Sequence, residues 1–423
     1  MNRLQARNNA VISLPVKFAT LALASAAFQP QVQAAGSLMD ALTYGTVSAQ
    51  LRYRYEDVDQ EGLAKQARAS TLRTQLGYGT DSYYGFTAFL QFENVAEIGA
   101  DNYNSGANGK ALLPLIADPA GTEVNQAWLG YEAGYATSFK YGRQAINLDN
   151  QRFIGTVNWR QNEQTYDAFS IVNGSLPDTT LTYAYVSNVN RVFGESNPDP
   201  LKRNFAMDSH LINLVYKGFS AGSLTGYAYL LDFEDVPAIS NKSLGVRFDG
   251  KQIVSDVKVL YTAEYAQQSD YQDGASTIDA DYTYAGLGLE RQGWQVKANY
   301  EVLSGDGVYG FATPLATLHA FNGWADKFLA TPADGLEDIY LTAGKTLYGI
   351  ALAGQYHMYA SDNLSYDYGT EFDLSAGKKI NKWFSVLLKY ANYSGNTNTT
   401  NLTRNAALSK DVDKLWLQAE VTF

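Results

Sequence analysis

The chain divides into segments of about ten residues in which apolar and polar positions alternate. In one such segment, Trp294, Val296 and Ala298 alternate with Gln295 and Lys297. Because neighbouring side chains of a strand point to opposite faces, this pattern predicts β-strands with one apolar and one polar face. The predicted strands number 18 and lie near 48–57, 67–79, 83–95, 122–133, 137–144, 164–172, 179–188, 204–217, 221–232, 241–249, 253–267, 280–291, 293–303, 337–347, 349–361, 366–378, 382–394 and 411–423.

The links between these strands alternate in length. Tight links follow even-numbered strands, at 80–82, 134–136, 218–220, 249–251, 348–349 and 380–381. Long links follow most odd-numbered strands, at 96–121, 145–163, 189–203, 304–336 and 395–410. Short periplasmic turns and long extracellular loops are typical of outer-membrane barrels, whereas a soluble sandwich has no reason to keep them. The sequence therefore predicts an all-β fold, a transmembrane antiparallel β-barrel of about 18 strands with this asymmetry.

The two ends of the chain indicate its location. Arg3, Arg7 and Lys17 precede or border an apolar run at 18–28, and small residues follow at 32–35, which is the pattern of a secretory signal peptide. We predict cleavage after Ala34, so that 1–34 is the signal peptide and 35–423 the barrel domain. The last strand alternates and ends on Phe423, which resembles the C-terminal signal read by the barrel assembly machinery. The prediction is an integral, multi-pass protein of the Gram-negative outer membrane.

Composition narrows the possible functions. Aromatic residues make up 13% of the chain, and its 31 tyrosines suit the girdles at membrane–water interfaces. With 0 cysteines, the chain has neither disulfides nor thiolate chemistry. Removing the three leader cations takes the formal charge from −11 to −14, which argues against nucleic-acid partners. No cofactor, metal or catalytic residue is predicted.

A barrel of this size leaves an aqueous lumen, and too few residues precede the first strand for a plug domain, so a pore is expected. Strand phase directs eight bases toward that lumen: Arg52, Arg54, Arg73, Lys140, Arg247, Lys258, Lys297 and Lys389. It also directs eight acids inward: Glu56, Glu93, Glu264, Glu290, Glu301, Glu371, Asp373 and Glu420. Each base could simply pair with a cross-strand acid, so the wall alone leaves the ion preference open.

Two segments between strands carry unusual chemistry. In 141–167, three arginines lie among amides and aromatic residues; guanidinium groups hold carboxylates in two-point contacts, and amides and aromatic rings suit sugars. The predicted constriction and solute-binding residues are Arg143, Arg152, Trp159, Arg160, Gln161 and Tyr166. The alternative is a rim loop whose arginines pair with acids of the same loop, namely Asp149, Glu163 and Asp167.

The second segment, 313–329, has apolar residues at three- and four-residue steps, which predicts a short amphipathic helix. Such a helix could fold into the mouth of the barrel as a lid, or it could pack on the rim. The sequence does not decide between these positions.

These segments resemble the alginate-export family of outer-membrane porins. The resemblance rests on the stretches 142–144, 151–155, 159–167 and 313–332. It implies an 18-stranded barrel and the passage of an anionic polysaccharide or its oligomers past an arginine-lined constriction, with Arg143, Arg152 and Arg160 in that role. This chain departs from dedicated exporters, because its wall mixes both charge signs and its predicted periplasmic turns are all short.

The leading hypothesis is therefore a porin for diffusion of small hydrophilic solutes, with anionic saccharides as a candidate class. A barrel-embedded lipase or protease is the alternative, but its three histidines, His210, His319 and His357, have no evident serine partner. A structural anchor or adhesin is a third reading. The carboxylates of acidic extracellular loops are expected to bind lipopolysaccharide phosphates through bridging divalent cations. The sequence leaves the solute, the direction of transport and a homo-oligomer open.

Overall fold

The computed structural model describes residues 36–423, and the predicted signal peptide at 1–34 lies outside them. In this part of the chain, 18 strands form one antiparallel sheet that closes where β1 pairs with β18. The predicted all-β barrel and its strand number are confirmed. The strands are β1 Thr46–Gln60, β2 Ala67–Gly79, β3 Phe86–Asn102, β4 Gly121–Glu132, β5 Thr137–Gln144, β6 Thr165–Asn173, β7 Thr179–Asn190, β8 Asn204–Phe219, β9 Gly222–Leu231, β10 Asn241–Val254, β11 Val257–Asp270, β12 Asp279–Arg291, β13 Trp294–Leu303, β14 Leu336–Leu347, β15 Ile350–Ala360, β16 Asp367–Lys379, β17 Phe384–Gly395 and β18 Val412–Thr422.

Helical structure is limited to short pieces. The α-helices are α1 Leu38–Thr43, α2 Pro200–Arg203 and α3 Thr399–Arg404, and 3₁₀ turns occur at Pro237–Ile239, Leu318–Ala320 and Ala406–Ser409. Between residues 36 and 423, no helix combines the length and the apolar content that crossing a membrane would require.

The amphipathic helix predicted for 313–329 is wrong, because only Leu318–Ala320 forms a helical turn. The backbone φ is 53° at Asn322, 86° at Gly323 and 60° at Asp326, and residues in this left-handed region interrupt a right-handed helix. The apolar side chains also contact different parts of the protein, since Leu315 lies against the loop after β5 while Trp324 lies against the barrel wall. Their spacing therefore reflects several separate contacts.

Each strand has a buried face toward the lumen and a face toward the surroundings. On β12, Ala280, Tyr282 and Tyr284 are buried, whereas Leu287 and Leu289 on the opposite face are 60% and 53% exposed. Large apolar side chains are exposed on the same outward face of many other strands. This apolar exterior is the surface that a lipid bilayer covers.

The links that follow even-numbered strands lie at one end of the barrel, called the turn end here, and those that follow odd-numbered strands, which are mostly longer, lie at the other, the loop end. The turns occupy 80–85, 133–136, 174–178, 220–221, 255–256, 292–293, 348–349 and 380–383. The turn predicted at 249–251 is wrong, since Asp249 and Gly250 remain paired with Thr262 and Tyr261. This strand position is occupied by glycine because a side chain there would overlap the ring of Tyr261.

Candidate functional site

Two loops leave the loop end and fold into the barrel: L3, residues 145–164 between β5 and β6, and L7, residues 304–335 between β13 and β14. Inside the lumen they pair with each other. The amide of Gly155 donates to the carbonyl of Leu315 at 2.9 Å, and the amide of Thr317 donates to Gln151 at 3.0 Å. L3 and L7 therefore form one connected body within the barrel.

Arg152 fastens L3 to the wall on one side of the lumen. Its side chain is 2% exposed, and its Nε–H donates a 2.7 Å hydrogen bond to Glu301 on β13. Its Nη2 donates to Asn322 of L7 at 3.0 Å, and Asn322 donates in turn to Glu301 at 2.9 Å. Burial opposes the charge of Arg152, but Glu301 outweighs it and raises the pKa of the guanidinium.

Arg160 fastens L3 to a different part of the wall and to L7. Its Nη1 lies 3.2 Å from Glu56 on β1, and its Nη2 lies 3.1 Å from Asp326 of L7. Asp118, from the loop between β3 and β4, lies 3.9 Å away. Burial would lower the pKa of Arg160, but these carboxylates raise it above its usual value. Arg152 and Arg160 are thus both neutralised by acids of the wall or of L7.

Trp159, Gln161 and Tyr166 belong to the same body. The ring of Trp159 stacks on His319 of L7 with centroids 4.4 Å apart. Gln161 donates from its side chain to the hydroxyl of Thr71 on β2 at 2.9 Å. The hydroxyl of Tyr166, at the start of β6, donates to the carbonyl of Gly155 at 2.7 Å, which holds the middle of L3 against that strand.

Arg143 lies apart from these residues, on the outer face of the barrel. In the register it pairs with Ala127 and Asp167, and it shares its face with Tyr141, which is 68% exposed. Its guanidinium bonds Asp167 at 2.9 Å and Glu195 at 2.5 Å. The structure therefore does not bring Arg143 to the lumen, where its neighbour Gln144 points instead.

All eight bases assigned to the lumen from strand phase lie on that face, and carboxylates compensate five of them. The pairs are Arg52–Glu420 at 2.7 Å, Arg54–Asp118 at 3.8 Å, Arg73–Glu93 at 3.8 Å, Arg247–Glu264 at 2.7 Å and Lys258–Glu290 at 2.7 Å. In the described chain, Lys140, Lys297 and Lys389 have no carboxylate within 4.0 Å. Lys140 covers the ring of Trp128, and Lys297 donates to the hydroxyl of Tyr284 at 2.7 Å.

Three further residues of the site were not found from the sequence: Asp118, His319 and Asp326. Each bonds a partner more than 40 positions away, as when Asp118 accepts from the amide of Gln161 at 2.8 Å. No local pattern marks such contacts. L7 also surrounds a cavity of about 340 Å³, lined by Arg152 and by L7 residues within 308–314 and 328–333.

Comparison with known proteins adds three findings. A family model described as alginate export matches residues 43–402, and no curated protein matches the chain. The outer membrane protein OpdK of Pseudomonas aeruginosa is similar, with 13% identity over 89% of this chain and 99% of that chain and a TM-score of 0.67. OccK9 of the same organism shares 14% identity over 90% and 100% of the two chains with a TM-score of 0.69. OccAB2 of Acinetobacter baumannii shares 16% over 89% and 98% with a TM-score of 0.68. At these identities the likeness concerns the fold.

Proposed function

This chain belongs to the alginate export family and is an outer-membrane β-barrel, and from that premise we propose that it is a porin through which small hydrophilic solutes diffuse. The proposed constriction is the body formed by L3 and L7, with Arg152, Trp159, Arg160, Gln161 and Tyr166 as its solute-facing or supporting residues. Arg143 is left out, since its side chain lies on the outer face. The turn end then faces the periplasm and the loop end the exterior.

The observation that carries this proposal is the attachment of L3 to two separate parts of the wall, β13 and β1, which lie six strands apart around the barrel. Arg152 joins L3 to β13 through Glu301, and Arg160 joins it to β1 through Glu56. Loops held at separate parts of the wall narrow the lumen, which restricts solutes by size and charge. The proposed solutes are small, because two loops inside the lumen leave less room for a long polymer.

Charge supports a narrower candidate class. Most lumen bases are compensated, but Lys140 and Lys297 are half-buried on the turn-end wall without a carboxylate partner among the described residues. An uncompensated ammonium attracts anions, while tyrosine hydroxyls and amides nearby suit sugar hydroxyls. We therefore include small anionic saccharides among the proposed solutes.

The barrel enzyme has no support in the family, whose description is one of export. The hydrogen bonds of the three histidines agree with this. His210 bonds Tyr183, His319 bonds Asp326 and Lys389, and His357 bonds Asp338 and Gln355. In residues 36–423, no serine shares a hydrogen bond with a histidine, as a serine hydrolase would require.

The experiment is single-channel recording in planar lipid bilayers. The wild type should conduct in discrete steps, and Arg152→Ala combined with Arg160→Ala should enlarge the conductance and change the reversal potential in a salt gradient. Arg143→Ala is the control, since it removes one arginine from the outer face, and should leave both the conductance and the reversal potential unchanged. Absence of discrete conductance in the wild type would refute the porin. Identical recordings from the double variant would refute the constriction.

Two partners complete the proposal. The strand ending at Phe423 would be recognised by the barrel assembly machinery during insertion. Acidic side chains near the loop end, such as Asp235, Asp270 and Asp273, would bind lipopolysaccharide phosphates through divalent cations. Both proposals rest on the position of these residues in the sequence and the fold.

A further inference from the structure

Lys389 lies at the point where both inward loops meet the wall. Its ammonium is 3.7 Å from the ring centre of Trp324 in L7, 4.2 Å from that of Trp159 in L3 and 5.4 Å from that of Trp416 on β18. Half of the six tryptophans of the chain thus surround one ammonium group. Each ring face attracts a cation, most strongly where water is excluded, and Lys389 is 5% exposed.

His319 of L7 supplies the polar partner of this ammonium. The Nζ of Lys389 lies 2.8 Å from Nε2 of His319, and Nδ1 of His319 lies 2.7 Å from Asp326. An ammonium can only donate, so Nε2 accepts and the ring proton resides on Nδ1, which donates to Asp326. Neutral imidazole is therefore required for this arrangement.

The charges around His319 come from its own loop and from five other elements. Asp326 of the same loop faces Nδ1 and is itself bonded by Lys414 of β18 at 2.7 Å and by Arg160 of L3 at 3.1 Å. On β1, Glu56 pairs with Arg160. On β16, Glu371 and Asp373 accept the amides of Ala325 and Trp324 at 2.6 and 3.3 Å. Lys389 of β17 is the one cation in direct contact with Nε2 in the described chain.

We propose that Lys389 is the positioning residue that holds L3 and L7 in the lumen at neutral pH, and that acid releases both loops through His319. This inference rests on the proposed porin function. A proton added to Nε2 removes the acceptor of Lys389 and places two positive charges 2.8 Å apart in a buried site. Their repulsion separates L7 from β17, and L3 follows because Trp159 is stacked on His319.

The pH range follows from the environment of His319. Burial and the Lys389 ammonium hold the pKa of His319 well below its usual value, against the opposing effect of Asp326. Once released into water, the imidazole regains an ordinary pKa of about 6.5. The closed arrangement is therefore favoured above that pH. Below it, each further pH unit shifts the closed–open equilibrium toward the open form by up to about tenfold.

The test is the pH dependence of single-channel conductance, recorded on the full barrel between about pH 7.5 and pH 5, where an ordinary imidazole changes charge. Wild type should open at the acid end. His319→Gln can still accept from Lys389 and donate to Asp326 without titrating, so it should stay narrow throughout. Lys389→Met should be open at both ends of the range. Lys389→Arg, which keeps a cation in the tryptophan cage, should restore closure at neutral pH.

His210→Gln is the matched control, because His210 lies on β8 beside Tyr183 on the outer face and should leave the pH profile unchanged. A second measurement follows the loop directly. The chain has no cysteine, so Ala325→Cys introduces a single thiol at a site that is 3% exposed. At about pH 5 an uncharged thiol reagent should label this cysteine roughly tenfold faster in the background with His319 than in the His319→Gln background. Both rates are measured at the same pH, so that the fraction of ionised thiol is the same.

Three results would overturn the inference. They are a wild-type conductance that does not change with pH, a His319→Gln variant that opens in acid like the wild type, and equal labelling of the thiol in both backgrounds. In each case the channel itself would still conduct, so the proposed porin function would stand. If no preparation conducts at any pH, the porin function fails and the inference fails with it.

Discussion

Arg152 and Glu301 are 149 positions apart in the sequence, yet the Nε–H of the arginine donates a 2.7 Å hydrogen bond to the carboxylate. Glu301 also accepts from Tyr282 at 2.8 Å and from Asn322 at 2.9 Å. One wall residue therefore joins L3, L7 and the strand next to its own. Its charge also cancels that of Arg152, one of the three arginines that the sequence predicts for anion binding.

Replacing Glu301 by glutamine should expose that arginine charge to the lumen. We expect Glu301→Gln to shift the reversal potential in a salt gradient toward anion preference. Breaking a buried ion pair should also lower the free energy of unfolding by about 3–5 kcal/mol, measured in urea. Glu337→Gln is the control, because Glu337 bonds Tyr300 on the outer face of the neighbouring strand. A reversal potential equal to that of the wild type would show that Arg152 does not act on passing ions.

Lys297 should contribute directly to ion preference, because it is not compensated by a carboxylate in the described structure. At a distance of about 8 Å, one charge changes the energy of a passing ion by roughly 0.5–2 kcal/mol for an effective dielectric constant between 80 and 20. Lys297→Met should accordingly lower the anion permeability by roughly two- to thirtyfold and raise the cation permeability, with the larger effect at low salt. Lys345→Met removes the same charge on the adjacent strand, where Lys345 covers Trp294 on the outer face. Equal effects of the two substitutions would contradict a local role for Lys297.

Gly323 allows L7 to approach the wall. Its φ is 86°, and a side chain there would overlap the hydroxyl of Tyr359 and the carboxyl group of Glu371, both buried. Gly323→Ala should therefore displace L7 and raise the conductance at neutral pH. Gly349→Ala imposes a similar backbone strain of about 1 kcal/mol at φ 75°, but no atom lies within 4 Å of the added carbon. Only Gly323→Ala should change the conductance. An equal change in both variants would show that backbone strain, and not the displacement of L7, causes it.

Phe423 should promote insertion of the barrel into the outer membrane. Its amide donates to Ala49 at 2.9 Å, its ring lies 5.5 Å from that of Trp383, and its side chain is 60% exposed. Phe423→Ala should reduce the amount of folded barrel in the outer membrane, read from the fraction that migrates as the compact form on unheated gels. Phe372→Ala, an outward aromatic residue at mid-strand that is 42% exposed, should reduce it less. Equal yields of folded barrel from the two variants would show that Phe423 has no special role in recognition by the assembly machinery.

The barrel could be predicted from the sequence because its signal is local. Alternation within a strand and the lengths of links are read from neighbouring residues, and they gave the strand number. The exception at Asp249 and Gly250 shows the limit, since a sequence typical of a turn lies inside β10 under the ring of Tyr261. Only the register across two strands distinguishes these possibilities.

The candidate site was less predictable, for two physical reasons. Neighbouring residues of a strand point to opposite faces, so an error of one position in the assigned phase moves a side chain from the lumen to the exterior. Arg143 faces outward, whereas the next residue, Gln144, faces inward. The chemistry of L7 also depends on partners from distant strands. His319, which carries no sequence signal, contacts Trp159, Lys389 and Asp326 only after the loops have folded inward.

The pairing of Gln50–Gln60 with 412–422 also sets the order of events in biogenesis. A nascent chain that lacks β18 keeps a row of bare amides and carbonyls along its first strand, which hydrocarbon cannot solvate. Such a fragment is therefore expected to be unstable within the bilayer. The barrel is thus expected to be stable in the membrane only after β1 and β18 have paired.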